Sequence, residues 1–368
     1  MQYIVMNNIK GGKVVDSGGY GCLFIPPLTC KGKNTKKKNV ISKLMPKRVA
    51  EREHKTNMKI HKILSKIPNW KHYFIFSIKS CFPKKLTKKD LKLFNKKCKT
   101  LTRKSFTKKT INSRIDDLKI LQFPYGGKTL ENYIYVNVTN NFDSFSEVNN
   151  NLINLLKNAI IPMNNNNVYH LDIKDTNILV GDTNKLKLID WGLSDIITKE
   201  LPQHLHNKSV QFNYPFTSIL LNTAFLKKLI EFMKKNEKEK NLVLFIKNYY
   251  NDEISLSYGD GHFEYLKEVF GQFSNNKNPH DVVFNFCANS ILQHTKNGVF
   301  DHRSYFEKTF LKNVDIWGFL SIYMSFLLIK TKNLGKIKEN IENLLFKHLF
   351  NNYTTIDIQD LYNDLQKI

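Results

Sequence analysis

Two short segments constrain this chain more than any other part of it: VYHLDIKDTNILV, Val168 to Val180, and LKLIDWGLSD, Leu186 to Asp195. In both, aliphatic and β-branched residues bracket ionisable ones. Such a pattern requires short buried strands joined by loops that carry the polar groups. Asp172, Lys174, Asn177 and Asp190 fall on those loops, where they are able to converge from either side of one cleft.

The flanking sequence sets the fold class. Before this region the chain reads as strands (Val14–Val15, Cys22–Ile25, Val40–Leu44, Tyr73–Ser80, Leu118–Phe123) with one helix, Lys47 to Ile67, stopped by Pro68. Between the last two strands, Lys84 to Lys109 is crowded with lysine and reads as a solvated insertion. After Pro124, Tyr125, Gly126 and Gly127 the spacing turns helical and, past the two segments, stays so almost to the end. The expected architecture is α+β and two-lobed. A small antiparallel sheet with one main helix occupies 1–124, including a Lys-rich insertion at about 84–115, and a larger helical part occupies 125–368.

The polar set itself points to chemistry. Phosphoryl transfer needs a carboxylate to take the proton of the attacking hydroxyl, a cation beside the transferred group, and oxygen ligands for Mg²⁺. Asp172, Lys174, and the pair Asn177 and Asp190 supply these in order. The first segment resembles the catalytic loop of eukaryotic-type protein kinases, and Asp190-Trp191-Gly192 resembles their metal-binding triplet.

That resemblance extends over about two thirds of the chain. VVDSGGYGCLF, Val14 to Phe24, is similar to the glycine-rich loop that covers ATP phosphates, with Gly18, Gly19 and Gly21 around an aromatic tip, Tyr20, and Asp16 where the first glycine is expected. Lys43 resembles the strand lysine that holds the α- and β-phosphates. Its helix carboxylate is then Glu53, with Glu51 as the alternative. Val15, Leu23 and Leu179 would enclose adenine, although core packing accounts equally well for their periodicity. ILQFPYGG resembles the hinge. His170 takes the place of a bracing histidine, and Leu171 replaces an arginine that pairs with a phosphorylated activation loop, which implies that this chain lacks that switch.

DIWGF, Asp315 to Phe319, is similar to the start of the buried central helix, whose aspartate supports the catalytic loop and here suits a helix cap. VQFNYPFTSILL occupies the substrate-docking segment, and the long helical run that follows implies an insertion at about 217–313. GGYGCLFIPPLTC, QFNYPF and GDGHFEYL resemble segments of serine/threonine kinases of giant DNA viruses of the mimivirus type. The resemblance implies an ATP- and Mg²⁺-dependent serine/threonine protein kinase acting on a protein substrate in the host-cell cytoplasm or packaged in a virion. A pseudokinase scaffold and a small-molecule kinase are the alternatives.

Composition excludes some classes. No apolar run approaches the roughly 18 residues of a membrane span, and the amino terminus has no secretory pattern. Five scattered cysteines without ligand spacing are expected to be reduced. The net charge of +25 is carried almost wholly by lysine, with only five arginines, beside abundant Asn and Ile. AT-rich codons produce that bias, and scarce arginine argues against base reading, so nucleic acid is not expected as the main partner.

Overall fold

The computed structural model describes residues 13–32, 39–139, 143–198, 201–206, 210–234, 239–275, 277–330 and 335–368. The amino-terminal segment and the lysine-rich residues 33–38 lie outside these. The architecture is α+β, with two compact units. One runs to Gly127 and also takes in Ile189–Gly192; the other comprises Lys128–Leu188 and Leu193–Ile368.

The first unit is built on a five-stranded antiparallel sheet in the order β1-β2-β3-β5-β4, with β1 at Lys13–Ser17, β2 at Cys22–Ile25, β3 at Val40–Pro46, β4 at Lys79–Cys81 and β5 at Leu118–Pro124. The register places Cys22 opposite Leu44 and Leu23 opposite Lys43. Successive strand residues face opposite sides. Leu44, Leu118 and Ile120 share one apolar core with Cys22, Phe24 and the lysine-rich insertion, so Lys43 points to the other face, where helix α1, Lys47–Leu64, packs against β3 and β5. Gly21 is required by close approach: a Cβ there would sit 2.5 Å from the Leu44 carbonyl oxygen and 2.6 Å from Met45 Cγ.

Three expectations are corrected in this unit. The insertion is a folded element, because its apolar residues Leu86, Leu91, Phe94, Leu101, Phe106 and Ile111 are buried against the sheet and only its lysines are solvated. The stretch Tyr73–Ser80 forms a strand only from Lys79: the Ile78 N–H already reaches the Gln122 carbonyl of β5 at 2.8 Å, but before it Asn57 Oδ1 accepts from the Ser77 N–H at 3.0 Å and the Ile75 carbonyl accepts from Trp191 Nε1 at 2.9 Å. The buried stripe of α1 is Ala50, Glu53, Asn57, Ile60 and Leu64, whereas Met58 is exposed. Finally, four of the five cysteines are paired, as Cys22–Cys98 and Cys30–Cys81, with Cys287 free and buried. The partners are 76 and 51 residues apart, so no local spacing brings them together: the insertion folded onto β2 brings Cys98 to Cys22, and the segment after β2 meets the end of β4 through the Cys30–Pro83 bridge.

The second unit is mostly helical, with a three-stranded sheet of Lys128–Thr129, Ile178–Val180 and Leu186–Leu188, and Val168–Tyr169 paired to Asp195–Ile196. Its centre is the helix Leu311–Leu327, apolar on all sides and buried along nearly its whole length, as a core helix must be. The region expected as an insertion is folded into helices, among them Thr223–Met233, capped by Asn222 Oδ1 on the Ala224 and Phe225 N–H groups, and Pro279–Gln293. Asp315 does not cap a helix start. Helical structure continues back to His302 because Tyr305, Phe306 and Phe310 are themselves buried, which leaves Asp315 inside the helix with its carboxylate turned to other backbone. Among the described residues no helix is long and apolar enough to cross a membrane.

Candidate functional site

Within the first unit, β3 and α1 bring Lys43 and Glu53 together. Lys43 Nζ donates to Glu53 Oε1 at 3.0 Å and Oε2 at 3.1 Å, and to Asp190 Oδ1 at 3.0 Å. Lys43 and Glu53 are almost fully buried, while the Asp190 side chain is 31% exposed. Glu51 is instead paired with Lys119 at 2.8 Å. Burial by itself would depress the Lys43 ammonium, but the Asp190 and Glu53 carboxylates outweigh it and hold it above the ordinary lysine range. Burial pushes the Glu53 carboxyl up, with Lys43 opposing. Two carboxylates share one ammonium, with Asp190 at the more exposed end of the cluster.

Asp190 is held there by its neighbour. Trp191 is fully buried, stacked on Phe76 at 4.8 Å between centroids and edge-on to Phe74 at 5.7 Å. Asp190 itself is in the left-handed backbone region (φ 63°), which aspartate tolerates better than most residues. A Cβ on Gly192 would come within 3.3 Å of Asp190 Oδ1, 3.5 Å of Glu53 Oε2 and 3.6 Å of the Tyr20 ring, so the aromatic tip of the glycine-rich segment lies beside the charged cluster. Around Gly18 and Gly19 there is open space, with nothing nearer than 4.0 Å to an added Cβ. The fold does not require glycine at either position. Val15 sits at a bulge between Val14 and Asp16, and Leu23 pairs with Asp16; both are half-buried. Leu179 belongs to the second unit, buried in the strand Ile178–Val180.

In the second unit the structure gathers Asp172, Lys174 and Asn177. Lys174 Nζ donates to both Asp172 oxygens at 3.0 Å, and Asn177 Nδ2 donates to Asp172 Oδ2 and to its backbone carbonyl, both at 2.8 Å. A third donor was not assigned from the sequence: Asn213 Nδ2 reaches Asp172 Oδ1 at 2.9 Å and the Ile173 carbonyl at 3.3 Å. Next to it, the Tyr214 hydroxyl donates to the Leu171 carbonyl.

The loop is fixed from beneath. Asp315 Oδ2 accepts from the His170 N–H at 2.8 Å and from Asn164 Nδ2 at 2.7 Å, and Oδ1 accepts from the Leu171 N–H at 2.9 Å. Burial raises the Asp315 carboxyl above its usual range, and these donors oppose that shift. Leu171 has φ 61°, a conformation that costs a bulky residue roughly 1–2 kcal/mol, and the contacts at its N–H and carbonyl hold it there. Gly318 admits the loop: a Cβ would lie 2.7 Å from the Ile173 carbonyl and 3.4 Å from that of Asn213. A lone glycine inside the apolar run DIWGF was the sequence signal for that close approach. Asn213 and Asn57 gave no such signal, since an asparagine is usually solvated.

A third set, His348, Asp360 and Asp364, brings three ligand-type atoms within 4.8 Å of one another. Lys347 lies 2.7 Å from Asp360 and 2.6 Å from Asp364, and Lys367 lies 2.7 Å from Asp364. With two ammonium groups already present, the set is a structural clasp for the helix Ile358–Leu365. No family model matches this chain.

Proposed function

We propose that this chain is a two-lobed serine/threonine protein kinase that transfers the γ-phosphoryl of ATP to a protein hydroxyl with Mg²⁺. The observation that carries this reading is the Lys43 ammonium fixed between Glu53 and Asp190. A buried lysine held charged by a helix carboxylate is suited to phosphate oxygens, and the partly exposed Asp190 carboxylate is an oxygen ligand of the kind a divalent cation takes. The carboxylate oxygen of Asp190 is a hard ligand suited to Mg²⁺, and so is the amide oxygen of Asn177, whose Nδ2 is committed to Asp172. When bound there, the ion would neutralise charge on the phosphate oxygens.

The chain's own groups supply the rest. Open backbone at Gly18 and Gly19 leaves room for phosphates against main-chain N–H groups. Lys43 binds the phosphates that stay behind with ADP. Asp172, aimed by Asn177 and Asn213, orients the acceptor hydroxyl and takes its proton as the oxygen–phosphorus bond forms. Lys174, 3.0 Å from both Asp172 oxygens, places positive charge beside the transferred group. Catalysis is then positioning plus charge stabilisation.

The test is transfer of label from γ-labelled ATP to a generic basic protein or to the chain itself, with Mg²⁺ and with EDTA. Phosphoserine or phosphothreonine formed by the wild type and lost in Asp172→Ala supports the reading. Equal incorporation by both proteins refutes it, and labelling of small alcohols in preference to protein would move the reading to the small-molecule kinases.

A further inference from the structure

The segment 84–115 makes up 32 residues of the chain, yet holds thirteen of its 57 Lys and Arg and one of its 32 Asp and Glu. A codon bias spreads lysine evenly and does not remove acids from one stretch, so composition does not account for this patch. The single acid, Asp90, is buried, and its Oδ2 accepts from the Thr87 N–H at 2.7 Å and the Thr87 hydroxyl at 2.8 Å, where it shapes a turn. Lys84, Lys85, Lys88, Lys92 and Lys96 are exposed, and so are Lys99, Arg103, Lys104, Lys108 and Lys109.

These charges stand on a preformed support. The segment has its own buried residues, is tied to β2 by Cys22–Cys98, and is held to the glycine-rich segment by the Thr100 N–H on Ser17 Oγ at 3.1 Å and by the Thr100 hydroxyl on the Gly18 carbonyl. A rigid array of point charges binds regularly spaced phosphates without first ordering a tail.

We propose that Lys84–Ile115 is a binding surface for the phosphate backbone of double-helical nucleic acid, read without sequence preference. Other polyanions fit less well. Single strands are bound through exposed aromatic platforms, and the aromatics of this segment, Phe94 and Phe106, are buried, Phe106 beneath the Arg114 guanidinium at 4.2 Å. Membrane-surface elements add an apolar face to their basic one; here Leu86, Leu91, Leu101, Ile111 and Ile115 are all buried. Lysine in place of arginine suits point-charge contacts to phosphate, not bidentate contacts to base edges. The proposal stands apart from the phosphoryl-transfer reading and holds for an inactive chain as well.

The experiment is fluorescence anisotropy of the full chain, nucleotide-free, with a labelled mixed-sequence DNA duplex of about 20 base pairs, in the range of about 10⁻⁴ to 10⁻⁶ M expected for non-specific binding. The expected slope of log K against log salt is about −4 or steeper. Lys88→Glu/Lys92→Glu/Lys96→Glu should weaken binding at least tenfold and flatten the slope by about 3. A second variant, Lys104→Glu/Lys108→Glu/Lys109→Glu, guards against misfolding of the first. The control, Lys55→Glu/Lys59→Glu/Lys62→Glu on exposed α1 positions, should bind nearly as the wild type. A flat salt slope, an equal loss in the control, or tighter binding to single strands or phosphatidylserine vesicles would each overturn the proposal.

Discussion

Lys43–Glu53–Asp190 and Asp172–Lys174–Asn177–Asn213 are both charged clusters, but they are stabilised by opposite means. The first is made of ions removed from water, two of them nearly fully buried, and it is held by Coulomb attraction over bonds of 3.0–3.1 Å. The second surrounds a carboxylate that keeps 15% of its surface exposed with neutral and cationic donors, and the dry part of its support is the backbone network on Asp315. Losing one ion of a buried pair strands the other, whereas losing one donor from a partly wet carboxylate lets water substitute. Stability and turnover are therefore expected to respond differently to mutation in the two places.

The largest effect should come from Asp172→Ala: transfer falls by at least about 10³-fold while nucleotide affinity and melting temperature stay near wild type. Retained transfer would break the functional side of the comparison. Next, Lys43→Met should cost roughly 3–5 kcal/mol of stability by urea titration, because it leaves Glu53 and Asp190 without their cation. If Lys43→Met is silent in stability, the first cluster is not held as described.

Asn213→Ala should lower kcat by about 10- to 100-fold, equivalent to a charge-assisted hydrogen bond of about 1.5–3 kcal/mol, with nucleotide affinity unchanged and partial rescue by Asn213→Ser. An effect on nucleotide affinity alone would remove Asn213 from the Asp172 network. The smallest effect belongs to the clasp. Burial would raise Asp364, but Lys347, Lys367 and His348 together hold its carboxyl well below the usual range. A depressed carboxyl contributes stability that is present above its unfolded value near 3.8 and is lost as pH falls through the lower folded value. Because the lysines are 49% and 70% exposed, Asp364→Asn should cost only about 0–1 kcal/mol at neutral pH. The difference from wild type should vanish in strong acid; a difference that persisted there would show that packing, not charge, is at stake.

Legibility from sequence followed the range of the interaction. Asp172, Lys174 and Asn177 lie within six residues on strand-flanked loops, and the loop that joins them by short bonds could be read directly. The choice of Glu53 over Glu51 was decided by the face of α1 turned to β3, and Asn213 reaches Asp172 across 41 positions of chain. The strand expected at Tyr73–Ser80 failed because Trp191, 116 residues from Ile75, claims its backbone.

By itself the sequence determined the α+β class and the placing of Asp172, Lys174 and Asn177 on one loop, since periodicity and local spacing are properties of adjacent residues. Only tertiary structure decided which carboxylate takes Lys43, which cysteines pair, that the lysine-rich insertion is folded, and that Asp315 works from inside a helix. Those outcomes depend on burial and on partners distant in sequence, and neither is encoded in any single stretch of the chain.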